Sequence, residues 1–325
     1  MNIAFAGLRH GHVFMLYDMV KNHKDFNIVG AFEDNQAAKE TAQANGVECN
    51  FATYEDILAD SKVDVVALGG CFAHRGPMAI KALQAGKHVI VDKPLCTNMD
   101  ELNQIEALAK EKGKAVSCMF TMRYEKKING LKKLVESGAL GEINNVYFGG
   151  QHPLMYGRRP DWYFEKDKYG GLINDIAIHG IDILTYALGL KISEVCSARE
   201  WNKFAQNEPD FKDSAQFMLK IENNGGVLAD VSYAVPDGVE FGLPYYWQFF
   251  VWGTKGTISL AFNEEKSYYF VAGDKTPHLL EEEVFTTDYL TDFINLVNGK
   301  KDVILSVDEV IYSTRKTLEI QQKAE

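Results

Sequence analysis

Two residues capable of proton transfer stand four positions apart in the apolar run LINDIAIHGIDIL, namely Asp175 and His179. On a helix this spacing places both side chains on one face, where the carboxylate can orient the imidazole. An oriented imidazole can take a proton from a hydroxyl group near neutral pH. A single histidine on an apolar helix is more often a core residue, but an aspartate one turn earlier on the same face needs its own explanation. The pair is therefore a candidate for acid–base catalysis.

A lysine that could complement this chemistry, Lys93, follows the apolar run HVIV and precedes a proline. Open α/β sheets bind ligands at the carboxyl ends of their strands, which is where this residue is predicted to lie. Its ammonium could stabilise negative charge that develops on a reacting oxygen. Taken alone, the residue is better explained as a solvated surface lysine. A turn that could bind a cofactor stands at the start of the chain.

The first strand and its turn, IAFAGLRHGH, are the candidate for that cofactor site. A dinucleotide fingerprint reads G-x-G-x-x-G. Here only Gly7 is in place, because Arg9 and His12 occupy the second and third glycine positions and Gly11 falls one residue early. A helix N-terminus still offers free N–H groups to a phosphate, and Arg9 would add a charged donor. His10 and His12 could instead ligate a metal, but no cysteine or carboxylate is near them in sequence, so no metal is predicted.

Two acidic residues, Glu33 and Asp34, end the second apolar run. Glu33 follows Gly7 at close to the roughly 20-residue distance at which an acid binds the ribose hydroxyls of NAD. Asp34 adds a second negative charge, and no arginine is adjacent to neutralise a 2′-phosphate. The pair therefore favours NAD over NADP, although a polar turn after a strand is the simpler interpretation.

Composition limits the class of protein. A chain of 325 residues with 46% hydrophobic and 24% charged residues is typical of a two-domain globular protein. A net charge of −11 disfavours nucleic acid or anionic membranes as partners. No apolar run reaches the roughly 18 residues of a membrane span, and the first strand begins at residue 2, which leaves no room for a cleavable signal. Five cysteines without a CxxC pair fit reduced thiols, so a cytoplasmic location is expected.

The first 120 residues alternate apolar runs (NIAFAG, FNIVGAF, VDVVALGG, KHVIVDK, AVSCMF) with helical segments such as PMAIKALQAG. This alternation predicts an N-terminal Rossmann domain, a doubly wound parallel sheet, over residues 1–120. Thr53 and Thr97 each stand three residues before an aspartate, the spacing of a capping box, and predict two helix starts. After Met122, alternating stretches such as AQFMLKIE and GVLADVSYAV predict an α+β domain with a largely antiparallel sheet over residues 121–325.

Several blocks together resemble one known family. ALQAGKHVIVDKPL resembles the Gfo/Idh/MocA oxidoreductases, whose corresponding strand ends in Glu-Lys-Pro. TMRYEKKINGLKKLVESGALGEI is similar to that family's Arg-aromatic segment and its entry to domain two, and YGGLINDIAIHGIDILTYALG is similar to its GGG-x-L-x-D-x-G-x-H-x-x-D helix. VWGTKGTISL resembles its late strand. The blocks keep the family's order over nearly the whole chain, so the chain is identified as a member.

The resemblance implies an NAD-dependent oxidoreductase that acts on a sugar, polyol or related hydroxy compound. In that family the residue matching His179 is the base, the one matching Lys93 binds the reacting oxygen, and the one matching Asp175 contacts the substrate. Where members often read T-P-N-x-x-H, this chain reads GGCFAHR, which places Arg75 at the histidine, or His74 if the register shifts by one. The implied cofactor residues therefore extend to four further positions: Gly70, His74, Arg75 and Asp92.

Substrate contacts are expected from the segment HPLMYGRRPDWYF, because aromatic faces and forked guanidinium donors suit sugar hydroxyls. Its candidates are Tyr156, Arg159 and Trp162, and Arg123 of the Arg-aromatic segment is a further one. A surface loop packed by its own aromatic residues is an equal interpretation. Asp182, one turn after His179, could serve a structural pair.

Two other functions stay open. A degenerate turn also suits a non-catalytic sensor that binds a nucleotide and a partner protein, a role some members of this family have taken. An enzyme that retains NAD for epimerisation or glycoside cleavage would have the same residues. A homodimer or homotetramer is expected from the resemblance and from the frequency of symmetric oligomers.

Overall fold

A computed structural model of the protein describes residues 1–236 and 238–324, which pack as two compact units. The first unit contains Met1–Met119, Pro160–Gly170 and Thr287–Arg315. The second contains Phe120–Arg159, Gly171–Thr286 apart from residue 237, and the chain from Lys316 to residue 324. Two helices lie near the end of the chain, α9 (Tyr289–Val297) and α10 (Val307–Ala324).

The first unit is built on a five-stranded parallel sheet in the order β2-β1-β3-β4-β5, which confirms the predicted Rossmann-like fold. Each of the five apolar runs supplies one strand: β1 (Asn2–Leu8), β2 (Asn27–Phe32), β3 (Val65–Gly69), β4 (His88–Val91) and β5 (Val116–Cys118). The central strands β1, β3 and β4 are almost entirely buried, as strands covered on both faces must be.

Five helices connect these strands: α1 (His12–Lys21), α2 (Gln36–Ala44), α3 (Tyr54–Ala59), α4 (Phe72–Gln84) and α5 (Met99–Lys112). Thr53 forms the predicted capping box with Asp56 at the start of α3. The cap predicted at Thr97 is wrong by one residue, because the amide oxygen of Asn98 accepts the hydrogen bond from the Glu101 N–H at 2.9 Å. α4 begins five residues before Pro77 and carries the proline within it.

The second unit is built on an eight-stranded sheet in the order β13-β12-β11-β10-β6-β9-β8-β7. All pairs are antiparallel except β6 and β9, which confirms the prediction of a largely antiparallel sheet. The strands are β6 (Ile143–Pro153), β7 (Ile192–Trp201), β8 (Ser214–Ile221), β9 (Gly226–Val235), β10 (Gln248–Gly253), β11 (Gly256–Ala261), β12 (Tyr268–Val271) and β13 (His278–Leu279). α6 (Lys126–Glu136) precedes β6, and the short helix α7 (Lys166–Tyr169) lies in the first unit.

The helix that carries Asp175 and His179 is not a regular α-helix throughout. Residues Ile173–Ala177 are wound as a π-helix, and α8 (Ile178–Tyr186) continues from them. At the start of this turn, the N–H groups of Ile173 and Asn174 point to the side-chain oxygen of Gln321, at 3.1 and 3.4 Å. π-helical turns are rare and occur often at functional sites.

α8 packs closely on β6, and a glycine makes this possible. A Cβ atom at Gly180 would lie 2.2 Å from the ring of Phe148, so only glycine lets the helix approach the strand this closely. The sheet thus supports one side of the helix that carries the candidate acid–base pair. Within the described residues, we find no helix that is both long enough and apolar enough to span a membrane.

Candidate functional site

The β1–α1 turn is tight and is braced against the end of β3. Gly7 has a φ of 73°, and a Cβ atom there would lie 2.7 Å from the backbone of Gly70. The N–H groups of Arg9 and His10 donate to the carbonyl of Gly69 at 3.0 and 3.2 Å. α1 then starts after Gly11 with no side-chain cap on its first N–H groups. A close backbone approach and an uncapped helix N-terminus both fit a bound phosphate, although the glycine pattern is degenerate.

Arg9 lies against both acidic residues at the end of β2. Its Nε donates to Glu33 Oε1 at 2.6 Å, and its terminal nitrogen pairs with Asp34. The Glu33 carboxylate is buried and also accepts hydrogen bonds from the N–H groups of Leu8 at 2.5 Å and Asn35 at 2.8 Å. The sequence argument that no arginine neighbours these acids is therefore wrong. β1 and β2 are adjacent strands, so the turn after one lies beside the end of the other.

Asp92, at the end of β4, is fully buried among three basic side chains. Its Oδ2 accepts a hydrogen bond from Arg75 at 2.9 Å and lies 2.5 Å from His10 Nδ1, and its Oδ1 lies 3.2 Å from His12 Nδ1. Burial would raise the pKa of Asp92, but the Arg75 charge, aided by His10 and His12, holds it well below its usual value. The expectation that the two histidines lack a carboxylate partner is thus wrong, since β4 brings Asp92 to them.

This cluster has the residue types of a metal site, with ligand atoms within 4.8 Å of one another. Two features favour hydrogen bonding instead. The Arg75 guanidinium already compensates the charge of Asp92. The Asp92 carboxylate is ionised and lies 2.5 Å from His10 Nδ1, so this nitrogen carries the proton of the hydrogen bond and offers no lone pair to a metal. We therefore assign no metal to the cluster.

Arg75, and not His74, belongs to this cluster. Its side chain is fully buried, whereas His74, one residue earlier on α4, is exposed. The Arg75 Nε donates to the Gly70 carbonyl at 2.9 Å, and one terminal nitrogen donates to the carbonyl of Asp92 at 2.7 Å and to that of Lys93. Arginine side chains are mostly exposed in proteins, so the burial of Arg75 could not be predicted from its residue type.

Lys93 lies where the sequence predicts, directly after β4, and only 6% of it is exposed. The peptide bond to Pro94 is cis. The Lys93 Nζ lies 5.8 Å from the ring centre of Phe72, on the first turn of α4. The contact of Phe72 with the candidate lysine could not be predicted from the sequence, because the two residues lie 21 positions apart on different elements.

Trp162, a predicted substrate contact, lies in the first unit. Its ring centre is 4.9 Å from that of Phe72 and 4.3 Å from that of Tyr163, and its Nε1 donates to the Arg9 carbonyl at 3.3 Å. Tyr169 also contacts Phe72, with ring centres 5.7 Å apart. The segment thus places an aromatic cluster beside the β1–α1 turn.

In the second unit, Asp175 and His179 are both buried on the helical segment that packs against the sheet. The hydroxyl of Tyr233, on β9, donates to the Asp175 carboxylate. The His179 ring meets the Trp247 ring edge to face, with centres 5.8 Å apart. His152 lies nearby, with its ring centre 5.6 Å from that of Trp247. Neither Tyr233 nor Trp247 was predicted as a site residue, although alternation along β9 places Tyr233 on the buried face.

Two further substrate candidates lie at the end of β6. The Arg159 guanidinium lies 4.7 Å above the ring centre of Tyr233, and it donates to the carbonyls of Leu154 at 2.8 Å and Pro153 at 3.0 Å. Tyr156 is exposed and its hydroxyl donates to Glu208 at 2.9 Å. Arg159 therefore touches the residue that contacts Asp175, while Tyr156 does not.

Arg123 has a different environment from the one predicted. It is fully buried, and its forked guanidinium donates two hydrogen bonds of 2.8 Å to the Asp182 carboxylate. The guanidinium also stacks on the ring of Tyr186, 4.6 Å from its centre. A buried bidentate pair holds the entry segment to α8, which gives Arg123 a structural role, and its contact with substrate stays a prediction. Asp182 is the partner of Arg123 in this pair, in line with the structural role considered for it from the sequence.

Comparison with known proteins gives the family. Residues 1–120 match a model described as the oxidoreductase family with an NAD-binding Rossmann fold, and residues 128–259 match the Gfo/Idh/MocA C-terminal domain. An uncharacterized oxidoreductase of Bacillus subtilis (strain 168), YrbE, is 26% identical over 283 residues, which cover 83% of this chain and 78% of that protein. The scyllo-inositol 2-dehydrogenase (NAD(+)) of the same strain is 24% identical over 287 residues, which cover 84% of this chain and 79% of that protein.

A solved structure of levoglucosan dehydrogenase in complex with NADH has a TM-score of 0.81 at 20% identity, and the match covers all of this chain and 96% of that chain. This similarity shows the fold. The two family models describe successive domains of one family and together span most of the sequence. The chain therefore belongs to the Gfo/Idh/MocA family of oxidoreductases, and its first unit carries that family's NAD-binding Rossmann fold.

Proposed function

We propose that this protein is an NAD-dependent dehydrogenase or reductase that transfers a hydride between a sugar, polyol or related hydroxy compound and nicotinamide. Residues 1–120 would bind the cofactor and residues 121–325 the substrate. The observation that carries the proposal is the buried Asp175, held by the Tyr233 hydroxyl, on the same helical segment as His179. Relatives named as inositol and levoglucosan dehydrogenases support this substrate class.

The cofactor site fits a dinucleotide in two respects. Gly7 and Gly70 approach closely and carry no side chains, so a pyrophosphate can reach the backbone of the turn. The first N–H groups of α1 have no side-chain cap and can donate hydrogen bonds to it. When bound, NAD supplies the hydride acceptor. Arg9 and Asp34 would lie beside the adenosine ribose. Glu33 already accepts three hydrogen bonds from the protein, so we expect it to hold the turn and Asp34 to meet the ribose.

In the oxidation direction, His179 takes the proton of the substrate hydroxyl while a hydride leaves the carbon that bears this hydroxyl. Lys93 stabilises the oxygen as negative charge develops on it. Asp175 favours the protonated imidazole by its negative charge, and the Tyr233 hydroxyl keeps that carboxylate oriented. In the reduction direction, His179 returns the proton to the alkoxide.

Screening with sugars, polyols and inositols in the presence of NAD tests the proposal. Reduced-nicotinamide absorbance would report turnover, and Lys93→Ala should lower it by about 10²–10³, as the loss of one oxyanion donor does. Lys81→Ala, an exposed lysine of α4 that pairs with Glu55, is the matched control and should leave turnover unchanged.

A sensor function is the second candidate, favoured by the Arg9 side chain that pairs with both acids of the expected ribose site. A sensor would bind NADH and turn over no substrate of the panel. An enzyme that retains NAD for epimerisation or glycoside cleavage would be purified with bound nicotinamide, whose fluorescence can be measured before any cofactor is added.

A further inference from the structure

Arg75 connects three separate parts of the first unit. From α4 its guanidinium reaches the carbonyl of Gly70 after β3 and the carbonyls of both Asp92 and Lys93 after β4. A further nitrogen of the same group pairs with the Asp92 carboxylate at 2.9 Å. Every one of these acceptors lies at the carboxyl edge of the parallel sheet, where Rossmann folds bind their ligands.

The contacts restrain Lys93 from two sides. One is the hydrogen bond to its own carbonyl, which fixes the backbone where the chain leaves β4. The other is Phe72, because the Arg75 guanidinium carbon lies 4.5 Å from the centre of that ring and the Lys93 Nζ lies 5.8 Å from it. The arginine therefore holds both the main chain of Lys93 and the ring against which its ammonium lies.

Burying an arginine completely is costly unless its charge and all its donors are matched. Here Asp92 supplies the charge, and His10 and His12 fix the orientation of Asp92. Lysine could not replace this group, since a single ammonium cannot span a carboxylate and three carbonyls in fixed directions. An apolar side chain could fill the space but would leave the end of β4 without these donors.

From this geometry we infer that Arg75 is a positioning residue for Lys93, the group that the proposed function assigns to the reacting oxygen. The inference rests on that proposed function, but the restraint itself can be measured without any substrate. A loss of the restraint should move the ammonium, and a displacement of about 1 Å can lower turnover about 10²-fold.

The test compares Arg75→Lys with wild type by chemical labelling. Whole protein is treated briefly with acetic anhydride, and acetylation of Lys93 is measured by peptide mass spectrometry relative to Lys81 in the same digest. Lys93 is almost fully buried in wild type, so we expect its relative labelling rate to rise at least threefold in Arg75→Lys. An unchanged relative rate overturns the inference, whatever happens to activity.

Kinetics provide the second measurement. We expect Arg75→Lys to lower kcat by about 10²-fold while the Kd of NADH stays within threefold of wild type. In a Lys93→Ala background the same substitution should have little further effect, because the group that it positions is already absent. An Arg75→Lys enzyme with wild-type kcat, or an equal loss in both backgrounds, would contradict the positioning role.

Two variants keep the result interpretable. Asp92→Asn preserves the shape of the cluster and removes the charge partner, so it should also raise Lys93 labelling. If Arg75→Lys does not fold, Arg75→Met with Asp92→Asn avoids an unpaired buried carboxylate and can be labelled in its place. Failure of the proposed function has a different signature, namely that Lys93→Ala alone turns over substrate at the wild-type rate.

Discussion

Arg9 and Glu33 form an ion pair of 2.6 Å between the turn after β1 and the end of β2. Burial would lower the pKa of Arg9, but hydrogen bonding and the charge of Glu33 outweigh it and raise the pKa above its ordinary value. Arg9 also pairs with Asp34, which is largely exposed. One guanidinium therefore partly neutralises the two acids that we expect to discriminate between NAD and NADP.

We predict that the protein binds NADH more tightly than NADPH and that Arg9 limits the difference. Asp34→Ala should narrow the preference, because it removes a repelling charge and frees Arg9 to pair with a 2′-phosphate. Arg9→Ala should widen it, and Asp18→Ala, an exposed acid of α1, should leave it unchanged. Fluorescence titration with both reduced cofactors measures the ratio of Kd values. Tighter binding of NADPH by wild type would refute the prediction.

The second prediction concerns His10, whose pKa burial lowers to about 4. In the unfolded chain the same ring has a pKa near 6.5, so between about pH 6.5 and 4 the unfolded state binds a proton that the folded state does not. The contribution of His10 to the free energy of unfolding is thus fully present above about pH 6.5 and is lost as the pH falls to 4. By NMR titration, the His10 ring should stay neutral down to about pH 5.

His10→Gln keeps a donor but cannot titrate. In this variant the loss of unfolding free energy between about pH 6.5 and 4 should be smaller by up to about 3 kcal/mol, as measured by urea unfolding at several pH values. His88 has a pKa lowered by burial to about 4 as well, so part of the slope should remain in the variant. A His10 ring that titrates near pH 6.5 in the folded protein would contradict its burial beside Asp92.

The third prediction concerns the buried pair of Arg123 and Asp182. Removal of one partner leaves a buried charge, so Arg123→Met or Asp182→Leu should lower the free energy of unfolding by about 3–5 kcal/mol. The double variant Arg123→Met with Asp182→Leu should lose less than either single one. Should Arg123→Met retain wild-type stability and raise only the KM, the arginine contacts substrate, as the sequence first suggested.

The alternation of apolar runs and helices was enough to predict both sheets, because buried parallel strands and half-exposed antiparallel strands differ in their side-chain periods. The acid–base helix and Lys93 could also be located, since each has a polar residue in an apolar setting. Contacts between distant segments could not be predicted. Arg9 meets Glu33 only because β1 and β2 are neighbours, and Tyr233 meets Asp175 only because β9 lies beneath the helix.

The fourth prediction is self-association through the outer face of the eight-stranded sheet. A row of apolar side chains crosses four adjacent strands, since Met218 pairs with Leu228, Leu228 with Tyr147, and Tyr147 with Phe250. Leu228 is 55% exposed, and Trp252 stacks on Phe250. We propose that this face forms a homodimer or homotetramer. Wild type should scatter light as a particle heavier than 36.5 kDa, and Leu228→Asp should reduce its mass.

A wild-type particle of 36.5 kDa throughout the micromolar range would contradict self-association. The control is Ser193→Asp, because Ser193 is exposed at the edge strand β7 and lies away from the apolar row. It should leave the mass unchanged.

The last prediction is that His179 is the base and that Tyr233 acts on it through Asp175. His179→Ala should lower kcat by about 10²–10⁴, the usual contribution of a positioned base, while NADH still binds. Asp175→Asn should preserve the fold yet impair catalysis, because an amide does not favour a charged imidazole as a carboxylate does. Tyr233→Phe should have a smaller effect in the same direction, since it removes only the hydroxyl that holds Asp175.

His278→Ala, at a histidine paired with Asp274, is the control and should leave kcat unchanged. A His179→Ala enzyme that turns over substrate at the wild-type rate from pH 6 to 9 would make this helix structural and leave the base unassigned.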